Sequence, residues 1–305
     1  MRAETIKPKD RDHWLKMKTK DVSSTESSAL FGLNPYVTEF ELWHRKKSGD
    51  VVEIEDNDVM KWGRRLEPAI AEGIAEDQEW VISPFKEYVR IPEIRMGSSF
   101  DFKIDHGGIL EIKNVFGLAF KNSWTKNDDG TYEAPPHIEI QVQHQLAVSQ
   151  YDYAYIAALV SGNKPILIRR EPDQEMIKTI QEKIAGFWKS IDNDTPPEPD
   201  FKTDADYIKE LYGYAEPGSE VDATNADELT DLAIRYKEAS EEEKRASKEK
   251  EAVKAEMLTL IGTAEKIYGQ GFKIHSKNTQ PKWIEAYERK GYRNFRVTWE
   301  KQKDH

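Results

Sequence analysis

SSFDFKIDHGGILEIKN, residues 98–114, is the stretch that decides how this chain folds. It reads as two β-strands, over 98–105 and 109–115, joined by a tight turn at His106-Gly107-Gly108. Side chains alternate along a strand, so Glu111 and Lys113 share one face while Ile112 turns to the other. A hairpin closing over 105–109 carries Asp101 back beside that pair. Two carboxylates and one ammonium are thereby expected at one point.

Hydrolysis of a phosphodiester calls for such a set. Carboxylate oxygens hold Mg²⁺, which coordinates the phosphate and the leaving group and acidifies a water. A neighbouring lysine orients that water and stabilises the charge that develops on phosphorus-bound oxygens. By itself, Asp…Glu-x-Lys also describes an exposed salt bridge on a strand, worth about 0–1 kcal/mol.

Outward from the hairpin the pattern is α/β. Residues 10–48 read as two or three short helices. One over 22–36 is stopped by Gly32 and Asn34-Pro35, and the next is capped by Thr38 and anchored by Phe40, Leu42 and Trp43. A longer helix over 58–78 carries Val59, Trp62, Leu66, Ile70 and Ile74 near helical spacing. Strands over 80–83 and 87–91 precede the hairpin. A helix over 117–124, a polar loop, and a helix over 137–150 follow it. Strands over 153–160 and 166–170 and an amphipathic helix over 176–191 end at a proline-rich linker, DNDTPPEPDF. Helices therefore bracket a small mixed sheet.

The expected division is a nuclease domain over 1–200 and a C-terminal extension over 201–305. In the extension, Leu229, Leu232, Tyr236, Ala239, Ala246, Val253, Met257 and Leu260 form a heptad-like stripe interrupted by Glu243 and Lys250. Its flanks are dense in Glu and Lys, and it reads as a long solvated helix packed on one face rather than as a coiled coil. A hairpin over 264–276 and a strand over 295–300 follow.

The 305 residues carry a net charge of -11, with 38% hydrophobic residues, 33% charged residues and no cysteine. Disulfides and thiolate-held zinc or iron–sulfur centres are excluded, and a cytoplasmic location is expected. No apolar run is long enough to span a membrane, and residues 1–14 lack the apolar stretch of a secretory signal. The acidic balance argues against a protein that coats nucleic acid over its whole surface, yet it permits a local basic cleft.

Asp101, then Glu111-Ile112-Lys113 across two strands, resembles the PD-(D/E)xK nuclease pattern. Four ordered blocks are similar to the YqaJ-like viral recombinases, in the family of phage lambda exonuclease: TESSALFGLNPYVTEFELWHRKKSG (25–49), WGRRLEPAIAEGIAE (62–76), the hairpin, and IEIQVQHQLAVSQYDYAYIAALVSG (138–162). The resemblance implies a restriction-endonuclease-like core with a central mixed sheet of about five strands flanked by helices. It implies that Asp101, Glu111 and the Ile112 carbonyl hold Mg²⁺, with Mn²⁺ as a substitute, and that Lys113 is the catalytic lysine. Glu67 matches an acidic residue that borders the metal, and Gln141 one that positions the water or the lysine. Glu67 also reads as a capping or surface carboxylate.

Gln141 and Gln145 share a helix face amid apolar neighbours, where amides need partners. His144 reads as a structural histidine ahead of a ligand. Lys18 and Thr25 stand where the family has an arginine and a serine on a terminal 5′-phosphate, and lysine lacks the arginine fork. Glu26 matches an acidic position or caps a helix. Arg64 and Arg65 are candidates for backbone phosphates or for a solvated face.

The implied activity is Mg²⁺-dependent degradation of linear duplex DNA from 5′ ends, leaving 3′ single strands for phage-type recombination. The implied partners are a single-strand annealing protein and a homo-oligomer, a trimer by resemblance, in a bacterial host with the chain phage- or prophage-encoded. The competing readings are a structure- or sequence-selective endonuclease of the same fold and a non-catalytic DNA-binding scaffold.

Overall fold

Residues 1–51 and 57–280, with Arg293 and Val297, are described by the computed structural model. From the N-terminus run β1 (Glu4–Ile6), α1 (Arg11–Lys20), β2 (Val22–Ser23), a 3-10 turn (Ser27–Phe31), α2 (Glu39–Ser48) and α3 (Asp58–Gln78). Then come β3 (Ile82–Pro84), β4 (Tyr88–Ile91), β5 (Met96–Ser98), β6 (Phe102–Ile104) and β7 (Gly108–Val115). They are followed by α4 (Gly117–Ser123), β8 (Thr125–Lys126), β9 (Tyr132–Glu133), α5 (Pro136–Ser149), β10 (Tyr153–Val160), β11 (Lys164–Arg170) and α6 (Gln174–Asp192). Chain contacts separate two units, Met1–Tyr207 and Ile208–His305.

In the first unit, five strands form a mixed sheet in the order β11-β10-β7-β6-β3. β7 and β10 run parallel, so a crossover must join them, and α4 with α5 supplies it. The remaining pairs are antiparallel. One face of the sheet buries Leu110 and Ile112 against Ile70, Ala71 and Ile74 of α3. The other sends Ile109 into a larger core with Ile138, Val142 and Leu146 of α5 and Ile180 and Ile184 of α6. Each of the leucine, isoleucine and valine side chains contributes about 1.5–3 kcal/mol on full burial. The strand alternation thus directs Glu111 towards α5 and Ile112 towards α3.

The expected strand over 98–105 is two strands in two sheets. β5 pairs with β4 and β2 in a four-stranded sheet ordered β1-β4-β5-β2, whereas β6 pairs with β7. The chain bends between them at 99–101. Side chains hold the bend: the Trp14 indole donates to Ser99 Oγ at 2.7 Å, and Ser98 Oγ lies 2.7 Å from the Ser99 carbonyl. At the far end of the hairpin, His106 and Gly107 take left-handed backbone angles, φ 73° and 95°, which close the turn.

The helix expected over 22–36 is likewise corrected. Residues 22 and 23 are β2, and only the 3-10 turn over Ser27–Phe31 is helical. Serine side chains compete with the backbone here, as in the bond from Ser27 Oγ to the Ser24 carbonyl at 2.9 Å. Thr38 caps α2 through the Glu41 amide at 3.1 Å. On α3 the buried face begins at Ile70, and Val59 and Trp62 are exposed.

The second unit begins within α7 (Ala205–Leu211) and carries α8 (Asp227–Ile261) and a hairpin of β12 (Lys266–Tyr268) and β13 (Lys273–His275). The stripe on α8 was expected to pack, yet none of the helix's residues is buried. The strand expected over 295–300 falls, apart from Val297, outside the described residues.

Candidate active site

The hairpin brings its acidic residues together through backbone register. Pairing of β6 with β7 reaches Phe102 opposite Leu110, and Asp101 follows at once on the side of Glu111. Asp101 Oδ2 accepts the amide of Ile112 at 2.7 Å, which fixes the carboxylate at the edge of β7. Glu111 is buried, and Lys113 donates to its Oε1 at 2.6 Å.

α5 closes over this pair. The Nε2 of Gln141 donates to Glu111 Oε1 at 2.6 Å, and its Oε1 accepts Lys113 Nζ at 3.1 Å. One turn on, Gln145 Nε2 donates to Glu111 Oε2 at 2.7 Å and lies 3.4 Å from the Ser99 carbonyl. The Oε1 of Gln145 is buried without a hydrogen-bond partner among the described residues. His144, between them in sequence, is fully buried with Nε2 3.0 Å from the Gly97 carbonyl, so it is part of the scaffold.

Negative charge is in excess here. Burial, then the charges of Glu111 and Glu67, hold the Asp101 carboxyl well above its ordinary range, against the pull of Lys113 and the Ile112 amide. Glu67, on α3, is raised by burial and by Glu111, and Lys113 and Arg64 oppose the shift. Burial works against the charge on Lys113, but Glu111 and Asp101 together raise its pKa. Three carboxyls therefore share one ammonium.

Carboxylates and a backbone carbonyl are hard oxygen donors, and Mg²⁺ is commonly held by one or two carboxylates with substrate oxygens and water. Asp101, Glu111 and the Ile112 carbonyl suit that requirement, and the raised carboxyls mark the counter-charge that a cation would supply. Among the described residues, no three acidic or histidine side chains converge closely enough to hold an ion by themselves. The backbone carbonyl and water belong to any such set.

A second polar cluster lies at the N-terminal segment. Lys18 sits with Nζ 4.7 Å from the Trp14 ring centre. Burial lowers its pKa, with Glu26 opposing. Glu26 does not cap the 3-10 turn by its side chain. Instead Glu26 Oε2 accepts the Ser23 amide and hydroxyl, both at 2.8 Å, and Lys46 at 2.9 Å. Thr25 is exposed, 3.2 Å from Ser23 Oγ. Arg64 and Arg65 are exposed on α3, and the Arg65 guanidinium lies 5.2 Å from the Trp62 ring centre. Lys46 escaped the sequence reading because its partner is 20 residues away. His137 was also missed: burial, then the charge of Lys113, lowers its pKa, and its ring lies edge-on to Tyr36 at 6.5 Å.

A mixed sheet between α3 and α5, with acidic residues and a lysine on its central hairpin, is the restriction-endonuclease-like fold. More particularly, residues 13–152 match the family of the YqaJ-like viral recombinase domain. The chain is similar to uncharacterized protein YqaJ of Bacillus subtilis (strain 168), at 27% identity over 255 residues, 81% of this chain and 78% of that protein. That share exceeds the 207 residues of the first unit, so the likeness runs on into the C-terminal extension. Among solved structures, the alkaline exonuclease LHK-Exo of Laribacter hongkongensis has the same fold, at TM-score 0.50 and 17% identity over 65% of this chain and 99% of that one. LHK-Exo in complex with dAMP matches at TM-score 0.50 and 17% identity, over 66% of this chain and 97% of that one. Among the described residues, no helix is long and apolar enough to cross a membrane.

Proposed function

We propose that this chain hydrolyses DNA phosphodiesters with Mg²⁺, degrading linear duplex from its 5′ ends and leaving a 3′ single strand. The observation that carries the reading is Glu111, gripped at both oxygens by Lys113, Gln141 and Gln145 and placed beside Asp101.

Asp101, Glu111 and the Ile112 carbonyl would hold the ion, with Glu67 beside them. A bound Mg²⁺ supplies Lewis acidity to the phosphate and lowers the pKa of water, and Mn²⁺ accepts the same oxygen donors. Lys113 stays charged between two carboxylates and sets that charge against the phosphate as negative charge builds. Gln141 bonds both Lys113 and Glu111, so it holds the amine and the carboxylate at fixed separation. Asp101 is pinned by the Ile112 amide, and a bound cation would favour its ionised form, which burial and the charges of Glu111 and Glu67 oppose.

Lys18 and Thr25 are assigned to the terminal 5′-phosphate. An anion there would favour the charged form that burial disfavours in Lys18. Arg64 and Arg65 are assigned to backbone phosphates of the duplex. In cellular terms the activity supplies 3′ strands to a single-strand annealing protein, in the cytoplasm of a bacterial host of the phage or prophage. The trimer implied by resemblance belongs to the same proposal.

The test is digestion of linear duplex, labelled at the 5′ or the 3′ end, beside a closed circle and across a Mg²⁺ titration. Mononucleotides from 5′ ends, an intact circle and no activity in Asp101→Ala are expected. Rapid nicking of the circle would instead favour an endonuclease, and equal activity of the variant would refute the site.

A further inference from the structure

The long helix of the second unit carries a surface that nothing in the chain's nuclease activity uses. α8 has 35 residues and buries none of them. Its stripe runs through five heptads with Leu229, Tyr236, Glu243, Lys250 and Met257 at one core position and Leu232, Ala239, Ala246, Val253 and Leu260 at the other. Three of the five heptads are apolar at both core positions, and the third and fourth carry one charge each, Glu243 and Lys250. Leu229, Leu232, Val253, Met257 and Leu260 are between 43% and 81% exposed. Ala246, Glu249, Lys250, Val253, Lys254 and Met257 border a shallow open groove along part of the stripe.

We propose that α8 pairs with α8 of a second copy of this chain as an antiparallel two-stranded coiled coil, in full overlap about a two-fold axis between Lys244 and Arg245; in a trimeric assembly the second copy belongs to another trimer. The stripe is complementary to its own reverse. In that register Leu229 meets Leu260, Leu232 meets Met257 and Tyr236 meets Val253. The two charged core residues meet the two alanines, Glu243 on Ala246 and Lys250 on Ala239. The small side chains leave room for the longer stems to lie across them and reach water.

Lys250 then stands one helical turn, about 5.4 Å, from Glu243 of the second copy, within reach of both side chains. Sliding the pair by one heptad sets Glu243 on Val253 or Lys250 on Leu232, a charge against an apolar side chain. A parallel pair sets Glu243 on its own copy and Lys250 on its own copy, two like-charged core layers. At the rim, Arg235 faces Glu256 favourably and Glu242 faces Glu249 unfavourably. Solvent and salt screen both rim pairs, so the core layers decide.

The absence of cysteine in the full chain makes single spin labels specific. Thr230→Cys and Lys244→Cys place labels off the stripe, near one end of α8 and near the proposed axis. Dipolar distance measurement on each labelled full-length protein is expected to give more than about 40 Å between copies at 230, from the 1.5 Å rise per residue, and roughly 20–25 Å at 244. Equal short distances at both sites would establish a parallel coil and overturn the proposal. Absence of dipolar coupling at 244 would overturn it too. The readout is independent of DNA cleavage, so a failed nuclease reading would leave it standing.

Discussion

Gln145 donates to Glu111 Oε2 at 2.7 Å, on the oxygen opposite the one that Gln141 and Lys113 share. The carboxylate thus has both oxygens set by side chains of α5 and by its neighbour on β7, and its orientation is fixed before substrate arrives. Gln145 also touches the Ser99 carbonyl, and Ser99 is held by Trp14. One amide therefore links the N-terminal segment to the acidic site.

Replacing Gln145 by Leu frees one oxygen of Glu111 without removing a carboxylate. Outer-shell partners of this kind change metal affinity by about 10–100-fold. The Mg²⁺ midpoint for cleavage is expected to rise by a factor in that range while affinity for duplex DNA stays constant. An unchanged midpoint would show that Gln141 and Lys113 orient Glu111 unaided.

Lys113→Met removes the one ammonium among three carboxyls. Loss of a charge-stabilising donor costs about 10²–10³-fold in turnover. Single-turnover cleavage is expected to slow by that much with DNA binding retained. Loss of binding alone, at full turnover, would place the lysine outside the chemistry.

His144 supplies a pH signature. Burial pushes its pKa down from 6.5 to about 3, against the Gly97 carbonyl and Glu26. The unfolded chain therefore binds a proton near pH 6.5 that the folded protein refuses. The stability from the neutral ring is complete above pH 6.5 and is lost progressively as pH falls towards about 3. Denaturant unfolding of His144→Asn over this range is expected to show a shallower acid loss than the unmodified chain. Identical slopes would contradict the buried neutral assignment.

Lys46 is buried and bonds Glu26 at 2.9 and 3.0 Å as well as the Lys18 carbonyl at 2.7 Å. Lys46→Met leaves a half-buried carboxylate with less compensation, at a cost of about 3 kcal/mol. Denaturant melts read that loss directly. The double variant Lys46→Met/Glu26→Gln is expected to recover most of it.

Much of this was legible in residues 98–114, because strand alternation alone separates Glu111 and Lys113 from Ile112. The glutamine face of α5 was legible for the same kind of reason, since i and i+4 coincide on a helix. The second sheet was not. β1 and β2 are three and two residues long, too short to show a period, and the continuous run through Ser99 concealed the bend that divides β5 from β6. The Lys46–Glu26 pair depends on tertiary contact between α2 and the segment after β2, which no local pattern encodes. The stripe on α8 was read correctly as a stripe, but its packed face was assumed, and the helix buries none of it.

The central claim is that Asp101 and Glu111 serve one divalent cation. Mn²⁺ titration of the DNA-free protein, followed by the paramagnetic resonance of the free ion, tests it without reference to cleavage. The unmodified chain is expected to remove Mn²⁺ from solution, and Asp101→Ala and Glu111→Ala to lose that uptake while remaining folded. Equal uptake by all three proteins would contradict the account.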